Sequence, residues 1–488
     1  MKELTFQSAV KLAEAIQTGQ VSSLELLEHY LERVQRLNPK LNAIVQTCPD
    51  AARKKAQQAD EALSRGESWG PLHGVPITIK DTLEVAGMPC TSGAPALKDH
   101  MPQNNAETVK AYLNAGAVIF GKTNVPLYGG DIQSFNRVYG QTNNPWNLKH
   151  TPGGSSGGAA AALSAGLASL EIGSDIGGSI RTPAHFCGIY GHKPSYGIVA
   201  QKGHIPPPPG VFKGEHGTSI DIMVVGPLAR HIDDIALAMD LLIGPEPAES
   251  RAWQIHLPKP RKNKLKDLKI GLWLDDPVCP VDSSVGDVLQ GAVDRLSSNG
   301  AQILEKRPDV DFAQSHDCFL GLLAAVMGAG TPDKYFDKWH EEIKELSPDD
   351  HSYLARHLRG AIQLHRDWAF KDSLRQVIRQ KWADFFREFD VLICPPAPLP
   401  AIAHDQRYLY DRTITVNGRQ REYMDLIGWA GLIGVSHLPS TVVPAGFAKS
   451  GLPVGMQIVG PYLEDRTPIY SAKLISDVIG GFIPPEGY

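Results

Sequence analysis

Apolar residues recur at helical spacing in two stretches near the start of the chain, residues 7–19 and 24–37. The second opens on Ser22-x-x-Glu25, a capping-box pattern, and puts Leu27, Tyr30, Leu31 and Val34 on one face. Asn38-Pro39 is expected to stop it. Residues 41–45 read as a short strand, and 51–63, led by Asp50, as a further helix. Gly74-Val75-Pro76-Ile77-Thr78-Ile79-Lys80-Asp81 then reads as a strand whose pleat carries a lysine inward at its C-terminal end. A helix over 106–115 and a strand over 117–120 follow. Residues 159–170 are small, apolar and free of proline, which predicts a buried helix ending near Gly166, before a strand around 170–172. The alternation runs to a strand at 222–225 and an amphipathic helix at 231–243, and it indicates an α/β sheet protein.

Residues 244–265 are rich in Pro, Lys and Arg and read as a surface connection closing a first structural half. Beyond it, strands are expected at 268–274, 301–304, 391–394, 441–444 and 455–459, and helices at 284–297 and 465–479. Residues 313–388 read as mostly helical and charged. No internal repeat appears. No split into independent domains is forced, because strands from both ends can share one sheet.

Composition narrows the function classes. With 488 residues, 42% apolar and 21% charged, the chain can bury a large core. A net charge of −5 leaves no electrostatic footprint for nucleic acid or an anionic membrane. The one dense basic run, 259–266, reads as a solvated linker. The six cysteines form no CxxC pair, so zinc-site spacing is missing, and Cys187 and Cys394 read as small core residues. There is no signal-peptide h-region and no run long enough for a membrane span. A reduced, cytoplasmic protein is the expectation.

Chemistry concentrates in two glycine-rich stretches. One is Thr151-Pro152-Gly153-Gly154-Ser155-Ser156-Gly157-Gly158; the other is Gly173-Ser174-Asp175-Ile176-Gly177-Gly178-Ser179-Ile180-Arg181. A helix can carry the chain away from Ser155, and the returning strand can bring Ser179 back beside it. Glycines around a serine let backbone N–H groups converge on a ligand oxygen, as a nucleophile site requires. A serine hydroxyl needs a base, and no histidine lies in these motifs. A lysine serves if burial keeps it neutral. His185, His192, His204 and His216 make no HExxH pair and read as ordinary polar or core histidines. Asp175 reads as a support for Arg181 or the loop amides in preference to a catalytic acid, and Ser156 as a loop support.

These stretches, together with Gly74-Val75-Pro76-x-x-x-Lys80-Asp81, Gly121-Lys122-Thr123-Asn124, Phe186-Cys187-Gly188, Gly191-x-Lys193-Pro194-Ser195 and Gly226-Pro227-Leu228-Ala229-Arg230, resemble the amidase signature family in content and order. The likeness is close over about residues 5–240 and looser beyond. It implies a large, mixed, twisted β-sheet covered by helices on both faces. It also implies one amidase domain over 1–488, with its signature core at about 70–240 and a helical insert at about 313–388 shaping the pocket. By the same resemblance Ser179 is the nucleophile, Ser155 a bridging serine after a cis peptide bond, and Lys80 the base. The amides of Ile176, Gly177, Gly178 and Ser179 form the oxyanion hole. Gly129 and Gly130 fall where family members line the acyl pocket; glycine there either opens the pocket or makes a turn. No cofactor and no metal are implied, and a homodimer is compatible with the resemblance.

The substrate pocket is expected from residues 128–134, 206–212, 313–388 and 423–437. Phe212, Trp429, Leu432 and Ile433 in these segments point to an apolar acyl or aryl group, unless they are core. Asp175-Ile176 stands where glutamine-using transamidation subunits often have Asp-Thr, and 429–434 departs from the Asn-x-x-Gly of many members. The expectation is therefore a stand-alone hydrolase of a small amide through an acyl-serine. The alternatives are the amidase-type subunit of a tRNA-dependent glutamine amidotransferase and a non-catalytic binding scaffold.

Overall fold

The computed structural model describes residues 2–206 and 219–488. Among these, eight strands form one mixed sheet, in the spatial order Gln302–Leu304, Lys269–Leu272, Val391–Cys394, Pro453–Val459, Ser440–Phe447, Tyr190–Lys193, Val224–Ala229 and Leu170–Asp175. The first three run parallel, and every later pairing is antiparallel. Strands from both halves of the chain thus share one sheet. Helices cover both faces, with Arg181–Cys187 against the two central strands and Ser283–Ser298 and Arg466–Ile479 packed together against Ser440–Phe447. Val391–Cys394, Pro453–Val459 and Val224–Ala229 are buried along their length and consequently read as largely apolar runs.

The early strands depart from a single sheet. Ile44–Thr47, Val118–Thr123 and Pro76–Lys80 form a three-stranded sheet of their own. Its Pro76–Lys80 edge lies against Leu170–Asp175, the edge strand of the large sheet, where the Ser169 hydroxyl donates to the Pro76 carbonyl at 2.5 Å. The two edges bring the ends of two motifs together.

The helix Ser23–Leu41 has the expected capping box but runs through Pro39. Proline removes one hydrogen bond near the end, and Asn38 compensates. Its carbonyl accepts from Asn42 N–H at 2.7 Å, and its side chain accepts from the Ala43 and Ile44 amides and donates to the Ile44 carbonyl. The helix Gly157–Ser164 is buried on every side. Its alanines permit that, and Gly158 requires it, since a Cβ there would lie 2.3 Å from Asn124 N.

The 313–388 region comprises Phe312–Ala329, Asp333–Glu345, Tyr353–Ala361 and His365–Phe385, all helical. Within the basic run, Arg261 is half-buried rather than solvated, held by Glu464 at 2.6 and 2.7 Å. No helix among the described residues is long and apolar enough to cross a membrane.

Candidate active site

Lys80 closes the strand Pro76–Lys80 and is 0% exposed. Its Nζ lies 2.7 Å from Ser155 Oγ, 2.9 Å from Ser174 Oγ and 3.5 Å from the Ser174 carbonyl. Burial pushes the ammonium down to about 7, against the pull of Asp175 and Glu171, which favour its charge. The lysine is therefore poised to be neutral near physiological pH. The other two motif lysines are committed elsewhere. Lys122 Nζ sits 3.3 Å from Asp81 and donates to the Leu83 carbonyl, and Lys193 Nζ donates to the Pro194 carbonyl.

Ser155 follows a cis peptide bond from Gly154. Ser156 N–H donates to the Ser179 carbonyl at 3.2 Å, which ties the two glycine-rich stretches together. Ser179, 8% exposed, opens on a cavity. Ile176, Gly177, Gly154, Gly129 and Gly130 line the same cavity. A Cβ at Gly129, where φ is +72°, would lie 3.3 Å from Ser155 Oγ, so this position keeps the bridging hydroxyl clear.

Asp175 organises the turn. Its Oδ1 accepts from Gly178 N–H at 2.9 Å, and its Oδ2 accepts from the Ile180 and Arg181 amides. The Arg181 guanidinium clamps both oxygens, at 3.0 and 2.8 Å. Burial raises this carboxyl, but Arg181 outweighs it and holds the group well below the usual carboxylate range. Gly178 N–H is thereby taken, which corrects its assignment as an oxyanion donor. Among the described residues, the amides of Ile176, Gly177 and Ser179 have no internal partner.

The far wall is apolar. Leu320, Leu323, Ala324 and Met327 come from one helix of the insert, Met424 and Ile427 from the segment after a short hairpin, and Tyr353, His357 and Tyr410 add aromatic surface. Asp131 lies at the wall but is neutralised by Arg412 at 2.8 Å and bonded by Tyr423. Arg356 pairs with Asp317 at 3.3 Å. Trp429, Leu432 and Ile433 are absent from the wall: all are fully buried, with Trp429 packed between Trp273 and Phe312. They are core, because their helix, Gly428–Gly434, packs against Phe312–Ala329. Phe212 lies outside the described residues.

Two polar residues near the lysine escape a reading of the sequence. Ser174 lies inside a glycine-rich motif, and its place two residues after Ile172, on the same face of the strand, is the available signal. His204, expected to be an ordinary polar or core histidine, places its Nε2 2.8 Å from Ser174 Oγ, beside the candidate base, and nothing in its local sequence announces that placement. His185 and His192 are structural, bonded to Leu399 and Gly455, and to Thr441 and Asp465. His216 lies outside the described residues.

The amidase family model matches residues 25–468. This chain belongs to the amidase signature family. A glutamyl-tRNA(Gln) amidotransferase subunit of Carboxydothermus hydrogenoformans is 31% identical, over 95% of this chain and 96% of that protein. Indoleacetamide hydrolase of Bradyrhizobium diazoefficiens is 32% identical, over 94% of this chain and 84% of that protein. Among solved structures, a bacterial aryl acylamidase of the amidase signature family superposes with a TM-score of 0.79 at 27% identity, covering 97% of this chain and 96% of that one. Amide hydrolysis is the chemistry that membership of the amidase signature family supports. The substrate is left to the pocket.

Proposed function

We propose that this amidase signature enzyme hydrolyses a small amide with an apolar acyl or aryl group, through an acyl-Ser179 intermediate. The observation that carries the reading is a buried, depressed lysine 2.7 Å from the hydroxyl of Ser155, beside a serine that opens on an apolar cavity. Ser179 Oγ attacks the carbonyl carbon while its proton passes to Ser155 Oγ, whose own proton passes to the Lys80 lone pair. The oxyanion is received by the free amides of Ile176, Gly177 and Ser179. As the C–N bond breaks, Ser155 protonates the leaving nitrogen and Lys80 returns its proton to Ser155. Water then attacks the ester by the same relay, releasing the acid and restoring Ser179.

The cavity measures about 100 Å³. An apolar cavity of ~150 Å³ accommodates benzene, so this smaller one suits a short alkyl chain, or an aryl ring only partly enclosed. The only charged groups on the wall, Asp131 and Arg356, are already paired among the described residues, which disfavours a zwitterionic amino acid such as glutamine. Relatives named as amidotransferase subunits support the second reading, a transamidation subunit that draws ammonia from glutamine.

The test is amine or ammonia release from a primary amide, an aryl anilide, a long-chain N-acyl amide, a carbamate and glutamine, with Ser179→Ala as blank. Turnover of the anilide or a short apolar amide, abolished in the blank, is expected. Release from glutamine alone would transfer the assignment to the transamidation subunit, and release that survives in Ser179→Ala would refute the relay.

A further inference from the structure

Ser174 Oγ sits between two nitrogens, Lys80 Nζ at 2.9 Å and His204 Nε2 at 2.8 Å. A hydroxyl has one proton to give. A neutral lysine has two N–H donors and one lone pair. To act as a base, that lone pair must face Ser155 Oγ, so both donors are directed at Ser174, its hydroxyl and its carbonyl. Ser174 must then send its own proton away from Lys80. The acceptor in reach is His204 Nε2. If the hydroxyl turned round, its proton would occupy the Nζ lone pair and the relay would lose its base.

The imidazole is held where this requires. Glu84 N–H donates to the Gly203 carbonyl at 2.9 Å, and Ile205 N–H to the Thr82 carbonyl at 2.7 Å. These bonds lace the histidine segment to the residues immediately beyond Lys80, with Leu83 and His204 bridged antiparallel. Burial and then the Lys80 charge push His204 down to about 3, so the ring is neutral wherever the lysine is. Nδ1 is buried and without a partner among the described residues. A Ser174 proton directed at the ring places the ring's own proton on Nδ1 and leaves Nε2 to accept. The charged groups around this chain are Asp175 and Glu171, which face Lys80, and Lys80 itself, which faces His204.

We propose that His204 is a positioning residue: by accepting the Ser174 hydroxyl proton it sets the direction of the hydrogen-bond chain and keeps the Lys80 lone pair on Ser155. The inference rests on the relay proposed above, but its test needs no amide substrate. An alkyl fluorophosphonate reports on Ser179 directly. Ser179 Oγ forms a bond to phosphorus, the P–F bond breaks, fluoride leaves, and the serine proton passes to the base. The second-order labelling rate is measured against pH for the full-length protein and its variants, with Ser179→Ala as blank.

Loss of the acceptor in His204→Leu is expected to lower the plateau rate about 10- to 100-fold, the scale of a misaligned catalytic group. It is also expected to move the midpoint to lower pH, because a Ser174 hydroxyl turned onto Nζ favours the neutral amine. His204→Gln, whose Oε1 can accept from Ser174, should restore the rate to within about threefold of the parent. Ser174→Ala combined with His204→Leu should lose no more than Ser174→Ala alone, since both changes break one chain. His204→Asn, polar but too short to reach Ser174, replaces His204→Leu if the latter does not fold, with the same expectations. Three results overturn the proposal: parental rate and midpoint in His204→Leu, additive losses in the double variant, or a midpoint that moves upward, as a loosened, wetter site would produce. A parent protein that labels no faster than Ser179→Ala would instead refute the relay itself, and the role of His204 with it.

Discussion

Glu171 offers the sharpest quantitative test of the buried electrostatics around Lys80. It sits on the edge strand Leu170–Asp175, fully buried, with Oε2 accepting from its neighbour's amide at 3.1 Å and Oε1 without a partner. Burial pushes its carboxyl from the ordinary 4.5 up to about 7, while the nearby Thr78 and Thr123 hydroxyls and Lys80 oppose the rise. Between pH 4.5 and 7 the unfolded chain has released this proton and the native protein has kept it. Stability contributed by the group is therefore present at low pH and falls as pH rises through that window. At about 1.4 kcal/mol per pH unit, the loss amounts to about 3 kcal/mol by pH 8. Glu171→Gln keeps the shape and removes the titration, so it should stabilise the protein by about 3 kcal/mol at pH 8 and by about 1 kcal/mol at pH 5. With an unfolding entropy of about 2 cal/mol/K per residue over a chain of this length, each kcal/mol is about 1 °C of Tm. Thermal unfolding of parent and variant, run in parallel at both pH values, reads the difference. Glu171 also favours the charged form of Lys80, so the acidic limb of the activity profile should move to lower pH in the same variant. An equal Tm change at pH 5 and 8, or a less stable variant at pH 8, would show that the fold does not disfavour the charged carboxylate of Glu171 and would refute the desolvation argument.

Activity of the parent should rise with pH through about 7, because below it Lys80 carries the proton that occupies its lone pair; Lys80→Met should abolish this limb and lower kcat/KM by about 10²- to 10⁴-fold with an unchanged circular dichroism spectrum. Gly129→Ala places a methyl 3.3 Å from Ser155 Oγ on a left-handed backbone that costs about 1–2 kcal/mol, so kcat for amide release should fall more than Tm does. Asp175→Asn leaves Arg181 without its carboxylate in a site where both side chains are fully buried, and a loss of about 3–5 kcal/mol is expected by denaturant unfolding. Leu323→Trp narrows the apolar cavity, and should raise KM for an aryl amide while sparing a short primary amide; equal effects on both would remove Leu323 from the acyl side.

Much of this protein is legible in the sequence wherever the information is local. The periodicity of 23–37, the apolar run 391–394 and the alanine-rich stretch before Ser179 specify their elements, because propensity and pleat act over a few residues. Lys80, Ser155 and Ser179 stand out by residue type, flanking glycines and order along the chain, and the structure brings Lys80 beside Ser155 and ties Ser156 to Ser179. Asp175 is legible as a support because an arginine six residues on can reach it. Pro39 misleads because its lost hydrogen bond is offset by a side chain one residue away.

What only the tertiary structure decided is set by contacts between residues far apart in the chain. Two separate sheets, not one, meet along Pro76–Lys80 and Leu170–Asp175, and that seam is what buries Lys80 and moves its basicity. Trp429 looks like a pocket wall by composition and is core by packing, while Leu320, Leu323 and Met327 look like one more helix and face the nucleophile. Ser174 and His204 acquire their meaning from a strand and a loop thirty residues apart. Sequence names the groups that can do chemistry; desolvation and hydrogen-bond direction depend on what surrounds each group in space, and those are properties of the folded whole.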